Sequence, residues 1–86
     1  MQIIRHKSFK KKYSKLDEFL KAKVNLAIET FFKDPFNLSL KNHALKGSLY
    51  GKRAISVTGD IRIIFEEYNN YVLVIMLDVG THSQVY

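Results

Sequence analysis

The fold of this chain is decided by residues 45–86, LKGSLYGKRAISVTGDIRIIFEEYNNYVLVIMLDVGTHSQVY. Residues 52–57 and 61–67 alternate apolar and polar side chains, which is the pattern of strands with one face in a core. Residues 71–79 are apolar on both faces, which predicts a central strand buried inside the sheet. Asn69-Asn70 separates the last two segments and predicts a hairpin turn, because asparagine tolerates a positive φ. The stretch therefore predicts three consecutive strands.

The sequence before residue 36 predicts a strand followed by two helices. Residues 2–6 form a short apolar and basic run of strand type. Ser8 offers an N-cap oxygen to a short basic helix over residues 9–13. Residues 36–48 and 81–86 show no regular periodicity, so we predict a loop and a short C-terminal tail.

The second helix is the longer one. We predict that it begins at Ser14, which has the spacing of a capping arrangement with Asp17, and ends near Lys33, because Pro35 disfavours helix in the residue before it. The chain is then an α+β domain over residues 1–86, with the order β-α-α-β-β-β and a mostly antiparallel sheet that carries both helices on one face. The helix residues expected to pack on the sheet recur at helical intervals: Leu16, Leu20, Val24, Ala27, Ile28 and Phe31.

The composition fits a small domain that folds on a hydrophobic core. Hydrophobic residues make up 47% of the 86 residues, which is enough for one core. The chain has no cysteine, so it has neither disulfides nor thiolate metal ligands. No apolar run approaches the ~20 residues of a membrane helix. We therefore expect a soluble protein that suits the reducing cytoplasm.

The positive charge is concentrated near the N-terminus. The net charge is +6, and residues 1–23 hold eight of the 14 basic residues but only two of the eight acidic ones. Such a one-sided surface attracts a polyanion such as RNA, although an acidic protein partner would be attracted in the same way. The candidate RNA contacts are Lys10, Lys11, Lys12, Lys46, Lys52 and Arg53.

Several polar residues around the predicted strands suit the cutting of RNA without a metal. That reaction needs a group to deprotonate the ribose 2′-hydroxyl, a positive charge for the phosphorane, and a proton for the departing 5′-oxygen. Histidine suits the proton transfers, and the arginine fork fits phosphate oxygens. His43 precedes the three strands, His82 follows them, and Arg62 lies on the middle one.

Each of these residues also has a structural interpretation. His43 and His82 are also compatible with surface positions, which histidines of loops and tails occupy more often than catalytic ones, and Asp60 is compatible with a simple turn. Arg62 has several carboxylates nearby in sequence, Glu66, Glu67 and Asp78, that could pair with it. Tyr86 could cap the core and His6 could be structural. The three histidines lack metal-binding spacing, so we expect neither a metal nor another cofactor.

The segments HALKGSLYGKRAISVTGDIRIIFEE and DVGTHSQVY resemble the RelE/ParE superfamily of type II toxins, most closely its YafQ-type branch of ribosome-dependent mRNA interferases. The resemblance implies the RelE-like fold and a small endoribonuclease that cuts mRNA in the ribosomal A site. It also implies that a cognate antitoxin holds the enzyme inactive by covering its active surface. The free toxin is expected to be a monomer that binds ribosomal RNA and mRNA.

The resemblance also implies catalytic roles for five residues. His43 matches the YafQ-type histidine that is a proposed acid or base, and His82 matches the histidine of the Gly-Thr-His segment. Asp60 matches the aspartate before the middle strand. Arg62 matches the arginine that contacts the scissile phosphate in RelE-type members, and Tyr86 matches a C-terminal tyrosine that is catalytic in RelE.

The first of the three strands departs from the family pattern. YafQ-type enzymes usually carry a further histidine on the first of the three strands, and RelE carries lysines there, whereas this chain has Ala54 and Ser56. Loss of a proton carrier commonly costs ~10²–10⁴ in rate. Two alternatives to a fully active nuclease therefore stay open: a ParE-like gyrase inhibitor, and a catalytically weak or inactive homologue that acts by binding only.

Overall fold

A computed structural model describes residues 1–86 as a five-stranded sheet with helices on both faces. The strand order is β1-β5-β4-β3-β2, and only the β1–β5 pair is parallel. The predicted α+β class and the mostly antiparallel sheet are therefore confirmed. The strands are β1 (Gln2–Arg5), β2 (His43–Ala44), β3 (Arg53–Ser56), β4 (Ile61–Tyr68) and β5 (Leu73–Thr81). The helices are α1 (Lys7–Ser14), α2 (Glu18–Lys33) and α3 (His82–Val85), with 3₁₀ turns at Leu38–Leu40 and Gly47–Leu49.

The prediction of β5 as a central strand is confirmed. It lies between β1 and β4, and it pairs with β4 from Leu73 to Thr81 and with β1 from Leu73 to Met76. The predicted hairpin before it is also present, with φ values of 55° and 56° at Asn69 and Asn70. Helix α1 continues from β1 along the second half of β5, where the Ser8 hydroxyl donates to the Leu77 carbonyl at 2.5 Å.

Both predicted helix starts were wrong, although the predicted end of α2 at Lys33 is confirmed. The N-cap of α1 is His6, whose Nδ1 accepts from the Ser8 backbone N–H at 3.1 Å. The N-cap of α2 is Asp17, whose carboxylate accepts from the Leu20 N–H at 2.8 Å. A carboxylate is a strong acceptor for the free amides at the positive end of a helix, so Asp17 caps α2 and Ser14 does not. Ser14 is instead the last residue of α1.

The main core fills the space between the two long helices and one face of the sheet. Phe31 of α2 meets Phe65 of β4 edge to face, with ring centroids 5.0 Å apart, and both side chains are fully buried. Phe9 of α1 and Met76 of β5 are also fully buried in this cluster. Both helices thus pack on one face, as predicted, and the other face carries only the short helix α3 with a small second core.

Two short elements were missed by the sequence analysis. The predicted loop contains β2, which pairs with β3, and the predicted tail forms α3. A strand of two residues is too short to show periodicity, and a helix of one turn has no apolar stripe. Both elements lie next to the polar residues singled out above. No helix of the structure combines the length and the apolar character that crossing a membrane requires.

Phe65→Ala is expected to lower the free energy of unfolding by about 3–5 kcal/mol, because it leaves a cavity in a well-packed core. Leu38→Ala is the matched control, since this side chain is 92% exposed and its loss should cost less than about 0.5 kcal/mol. Chemical denaturation of both variants measures the difference. Equal effects at the two positions would contradict the assigned core.

Candidate active site

The polar residues gather on the sheet face opposite the two long helices. The strand register places His43 opposite Ala54, and Ala54 opposite Ile64. Arg62 lies opposite Ser56 on one side and Gly80 on the other. Paired residues point to the same face of a sheet, as do residues two apart along a strand. His43 and Arg62 therefore lie in neighbouring rows of one face.

Helix α3 turns back over this face and completes the cluster. Val85 is buried against Ala54 and Ile64 in a small second core, which fixes the helix to the sheet. The next residue, Tyr86, then places its hydroxyl 3.5 Å from Nε2 of His43. The His82 ring meets the Tyr86 ring at 70°, with centroids 4.2 Å apart. The fold thus brings together residues that are far apart in the sequence.

The hydrogen bonds of His43 fix the role of each ring nitrogen in its neutral form. Nδ1 lies 2.8 Å from the backbone carbonyl oxygen of Lys41, which can only accept a hydrogen bond. The proton of a neutral His43 is therefore on Nδ1, and the lone pair of Nε2 faces Tyr86. A lone pair held toward the centre of a polar cluster is suited to accept a proton.

Arg62 has no acidic partner. Its Nη1 donates to the carbonyl oxygens of Thr58 and Ile61 at 3.0 and 3.1 Å, and its Nη2 donates to that of Gly59 at 3.2 Å. These bonds orient the guanidinium without neutralising it, and none of the three ion pairs in the structure includes Arg62. Pairing with Glu66, Glu67 or Asp78 is therefore excluded, and the charge is free to bind an anion.

Tyr86 keeps its proton at neutral pH. Partial burial raises the pKa of its phenol above the ordinary value of 10.0, while the nearby positive charge of Arg62 acts in the lowering direction. The phenol therefore offers an O–H as a hydrogen-bond donor.

Asp60 acts on the backbone at the start of α3. Its carbonyl oxygen accepts from the His82 N–H at 3.0 Å, and its carboxylate lies 3.4 Å from the same nitrogen. The turn that contains it is closed by Thr58, whose hydroxyl oxygen accepts from the backbone N–H groups of Asp60 and Ile61. The aspartate thus ties the β3–β4 turn to the turn that carries His82.

The basic residues proposed as RNA contacts do not form one patch. Lys52 lines a groove on the same face as the cluster, beside Ile64 and Val85. Lys10, Lys11 and Lys46 are exposed. Lys12 is partly neutralised by Asp78, which its Nζ contacts at 2.9 Å.

Arg53 lies apart from the cluster. Its register partner is Phe65, whose ring belongs to the main core, so the arginine points to the face that carries the long helices. There its Nε donates to Asn42 at 2.9 Å, and its guanidinium lies 5.9 Å from the Phe36 ring centroid.

Two supporting residues escaped the sequence analysis. Lys41 has a left-handed backbone, with φ 51°, and directs its carbonyl to His43; no sequence signal marks this conformation in a lysine. Gln84 forms a capping box with Thr81, and the Thr-x-x-Gln spacing could have revealed that helix start. The structure contains no group of three or more metal-binding side chains that could hold an ion.

Arg62→Ala is expected to raise the pKa of Tyr86 further, because the variant removes the positive charge that acts against the effect of burial. Ultraviolet difference absorbance measures the titration, and subtraction of a Tyr86→Phe sample isolates this tyrosine from the others. Since the folded state favours the neutral phenol, the free energy of unfolding contributed by Tyr86 falls as the pH rises above 10.0. An unchanged Tyr86 titration in Arg62→Ala would contradict the assigned effect of Arg62 on the phenol.

Comparison with known proteins relates this chain to bacterial toxins. A family model described as "Bacterial toxin of type II toxin-antitoxin system, YafQ" matches residues 1–86. No curated protein sequence matches the chain significantly.

Solved structures share the fold at low sequence identity. YafQ from E. coli strain BL21(DE3) is 20% identical, with a TM-score of 0.77 over 99% of this chain and 97% of that chain. The YoeB/ParE toxin from Agrobacterium tumefaciens is also 20% identical, with a TM-score of 0.78 over 95% of this chain and 99% of that chain. The chain matched in the E. coli DinJ-YafQ toxin-antitoxin complex is 22% identical, with a TM-score of 0.73 over 99% of this chain and 96% of that chain.

Proposed function

The chain belongs to the YafQ family of bacterial toxins of type II toxin-antitoxin systems, and from this premise we propose that it is a ribosome-dependent endoribonuclease that cleaves mRNA in the ribosomal A site. The resemblance drawn from the sequence is thereby confirmed at the level of the family. The nuclease activity, the ribosome and the mRNA are the proposal.

One observation carries the proposal: a histidine lone pair, an uncompensated arginine and a protonated phenol share one face of the sheet. His43 Nε2 lies 3.5 Å from the Tyr86 hydroxyl, and Arg62 has no carboxylate partner. A base, a fixed positive charge and a hydrogen-bond donor are the groups that metal-independent RNA cleavage requires. A sheet that only supported the fold would not need them together.

The proposed reaction assigns one step to each group. Nε2 of His43 takes the proton of the ribose 2′-hydroxyl, and the oxygen attacks the adjacent phosphorus. The bond from phosphorus to the 5′-oxygen breaks, and His82 in its protonated form gives that oxygen a proton. Arg62 and the Tyr86 hydroxyl stabilise the charge on the phosphorane. The products are a 2′,3′-cyclic phosphate and a 5′-hydroxyl.

Asp60 contributes in a different way, since it holds the His82 backbone. Ser56, which with Ala54 occupies the positions where the family usually has another histidine or lysines, lies opposite Arg62 in the strand register. The proposed mechanism therefore rests on His43 and His82 as the proton carriers.

The proposed partners follow from the family and from the charge. A cognate antitoxin is supported because the matched fold includes chains in toxin-antitoxin complexes. We propose that the antitoxin covers the polar face, and that the free toxin is a cytoplasmic monomer of one domain. The exposed lysines near the N-terminus supply the attraction to ribosomal RNA, since phosphate contacts give affinity without sequence choice.

A cell-free translation reaction tests the proposal. Purified protein is expected to cleave a translated mRNA, and to leave the same mRNA intact when ribosomes are omitted. A supercoiling assay with DNA gyrase runs in parallel. Inhibition of gyrase with intact mRNA would establish the ParE-like alternative, and binding to the antitoxin without either activity would establish the inactive homologue.

A further inference from the structure

The one-turn helix α3 is held by a reciprocal pair of hydrogen bonds between Thr81 and Gln84. The Thr81 hydroxyl oxygen accepts from the Gln84 backbone N–H at 3.3 Å, and the Gln84 side-chain oxygen accepts from the Thr81 N–H at 2.8 Å. A helix of four residues is too short to be stable by itself. Its conformation therefore depends on this capping box and on the burial of Val85.

Gln84 also rests directly on the sheet at Gly80. A Cβ atom at Gly80 would lie 2.8 Å from the Gln84 side-chain oxygen and 3.3 Å from a methyl group of Val85. The backbone of Gly80 is not in the left-handed region, so the glycine is needed for space and not for its conformation. Because Gly80 is the register partner of Arg62, the glutamine sits directly beside the polar cluster.

These contacts determine where the C-terminal side chains of the cluster lie. His82 is the first residue of α3, and Tyr86 follows its last residue. If the Gln84 side chain leaves Gly80, the turn loses one of its two capping bonds, and the support for the packed rings of His82 and Tyr86 is weakened. The distance between the Tyr86 hydroxyl and His43 Nε2 is therefore expected to depend on Gln84, although Gln84 has no hydrogen bond to His43.

We propose that Gln84, seated on Gly80, is a positioning residue that holds His82 and Tyr86 in the geometry for RNA cleavage. The proposal rests on the proposed nuclease function for its kinetic consequences. Its structural consequences are independent of that function. A displacement of about 1 Å in a reacting group can cost on the order of 10²-fold in rate, so the loss of one capping bond matters here far more than at a distant helix.

Gln84→Met and Gln84→Glu test the role of the side-chain oxygen. Methionine keeps the length of the side chain but lacks a strong acceptor, whereas glutamate retains one. We expect Gln84→Met to speed hydrogen exchange at the Thr81 amide by about 10-fold. We also expect it to weaken the nuclear Overhauser contacts between the His82 and Tyr86 rings. Gln84→Glu should preserve both signals.

The same variants are expected to separate kcat from KM in the ribosomal cleavage assay. Gln84→Met should lower kcat by about 10- to 100-fold with little change in KM, because binding of the substrate does not depend on the geometry of the reacting groups. Gln84→Glu should keep kcat, while its negative charge raises KM. Wild-type kcat in Gln84→Met would overturn the proposal, as would an equal loss of kcat in Gln84→Glu.

Asp17→Ala separates positioning from a general loss of stability. Asp17 makes the corresponding capping bond at the start of α2, on the other face of the sheet. Its replacement is expected to lower the melting temperature about as much as Gln84→Met does, but to leave kcat unchanged. If both variants lose kcat in the same proportion, Gln84 has only a structural role and the proposal fails.

A double substitution tests the contact between Gln84 and Gly80. Gly80→Ala alone should expose the Thr81 amide to exchange, because the new methyl group displaces the Gln84 oxygen. In Gln84→Ala that oxygen is already absent and only the tight approach to Val85 remains, so the addition of Gly80→Ala should change exchange and kcat much less than it does in the wild type. Additive losses in the double variant would contradict the contact.

The two hypotheses fail in distinguishable ways. If the wild-type protein does not cleave ribosome-bound mRNA, the proposed function is wrong, whereas hydrogen exchange and ring contacts still decide whether Gln84 positions the two rings. If wild-type cleavage is present and Gln84→Met cleaves at the same rate, only the positioning role is wrong.

Discussion

Arg62→Ala is expected to lower the rate of ribosome-dependent mRNA cleavage by about 10²- to 10³-fold, which is the usual effect of removing one group that stabilises transition-state charge. Three backbone carbonyls hold the guanidinium in place, and no carboxylate neutralises it. The charge is therefore oriented before the substrate arrives and need not be released from a partner. Primer extension on the cleaved mRNA measures the rate.

Two further variants test whether the position of Arg62, and not the net charge of the protein, determines the cleavage rate. Lys33→Ala removes the same unit of charge from the far end of α2, where the lysine pairs with Glu29, and should leave the rate near that of the wild type. Arg62→Lys retains the charge but cannot reproduce the planar fork that bonds to Thr58 and Gly59, so it should recover only part of the activity. If Lys33→Ala lowers the rate as much as Arg62→Ala does, net charge and not the site is responsible.

His43→Ala is expected to lower the cleavage rate by about 10²- to 10⁴-fold, which is the range for loss of a general base. The carbonyl of Lys41 fixes the neutral ring so that the lone pair of Nε2 faces the cluster. His82 also lies beside Tyr86, but no hydrogen bond to a backbone carbonyl fixes its ring as one fixes the ring of His43. The same cell-free assay measures the effect, and growth arrest on induced expression should be relieved in parallel.

His6→Ala is the matched control for that prediction. His6 caps α1 through its Nδ1 and contacts Ser8, so its loss should lower the free energy of unfolding by about 1 kcal/mol. It should not lower the rate constant for cleavage. A His43→Ala protein that is folded and still cleaves at the wild-type rate would remove His43 from the mechanism.

The regular elements were predictable because they are long enough to show a period. The alternation in residues 61–67 and the two-sided apolar run in residues 71–79 led to β4 and β5, and the helical stripe led to α2. The start of α2 was less predictable, because Ser14 and Asp17 are both good capping residues. Only the three-dimensional structure shows which of them reaches the free amides.

The composition of the cluster was predictable, but its geometry was not. His43, Arg62, His82 and Tyr86 could be selected by chemistry and by resemblance to a family. Their convergence depends on β2 and α3, which together contain six residues and leave almost no periodic signal. Arg53 and Arg62 point to opposite faces of the sheet. This follows from the strand register, because Arg53 pairs with Phe65, and Phe65 and Arg62 are an odd number of residues apart on β4.

The central claim is that His43, Arg62 and the C-terminal rings cleave mRNA by attack of the 2′-hydroxyl within the ribosome. The most direct measurement is the chemical analysis of mRNA ends after the purified protein acts on programmed ribosomes. We predict a 2′,3′-cyclic phosphate on the upstream fragment and a 5′-hydroxyl on the downstream fragment, with no cleavage in the absence of ribosomes. A 5′-phosphate on the downstream fragment, or mRNA that stays intact on the ribosome, would contradict the account.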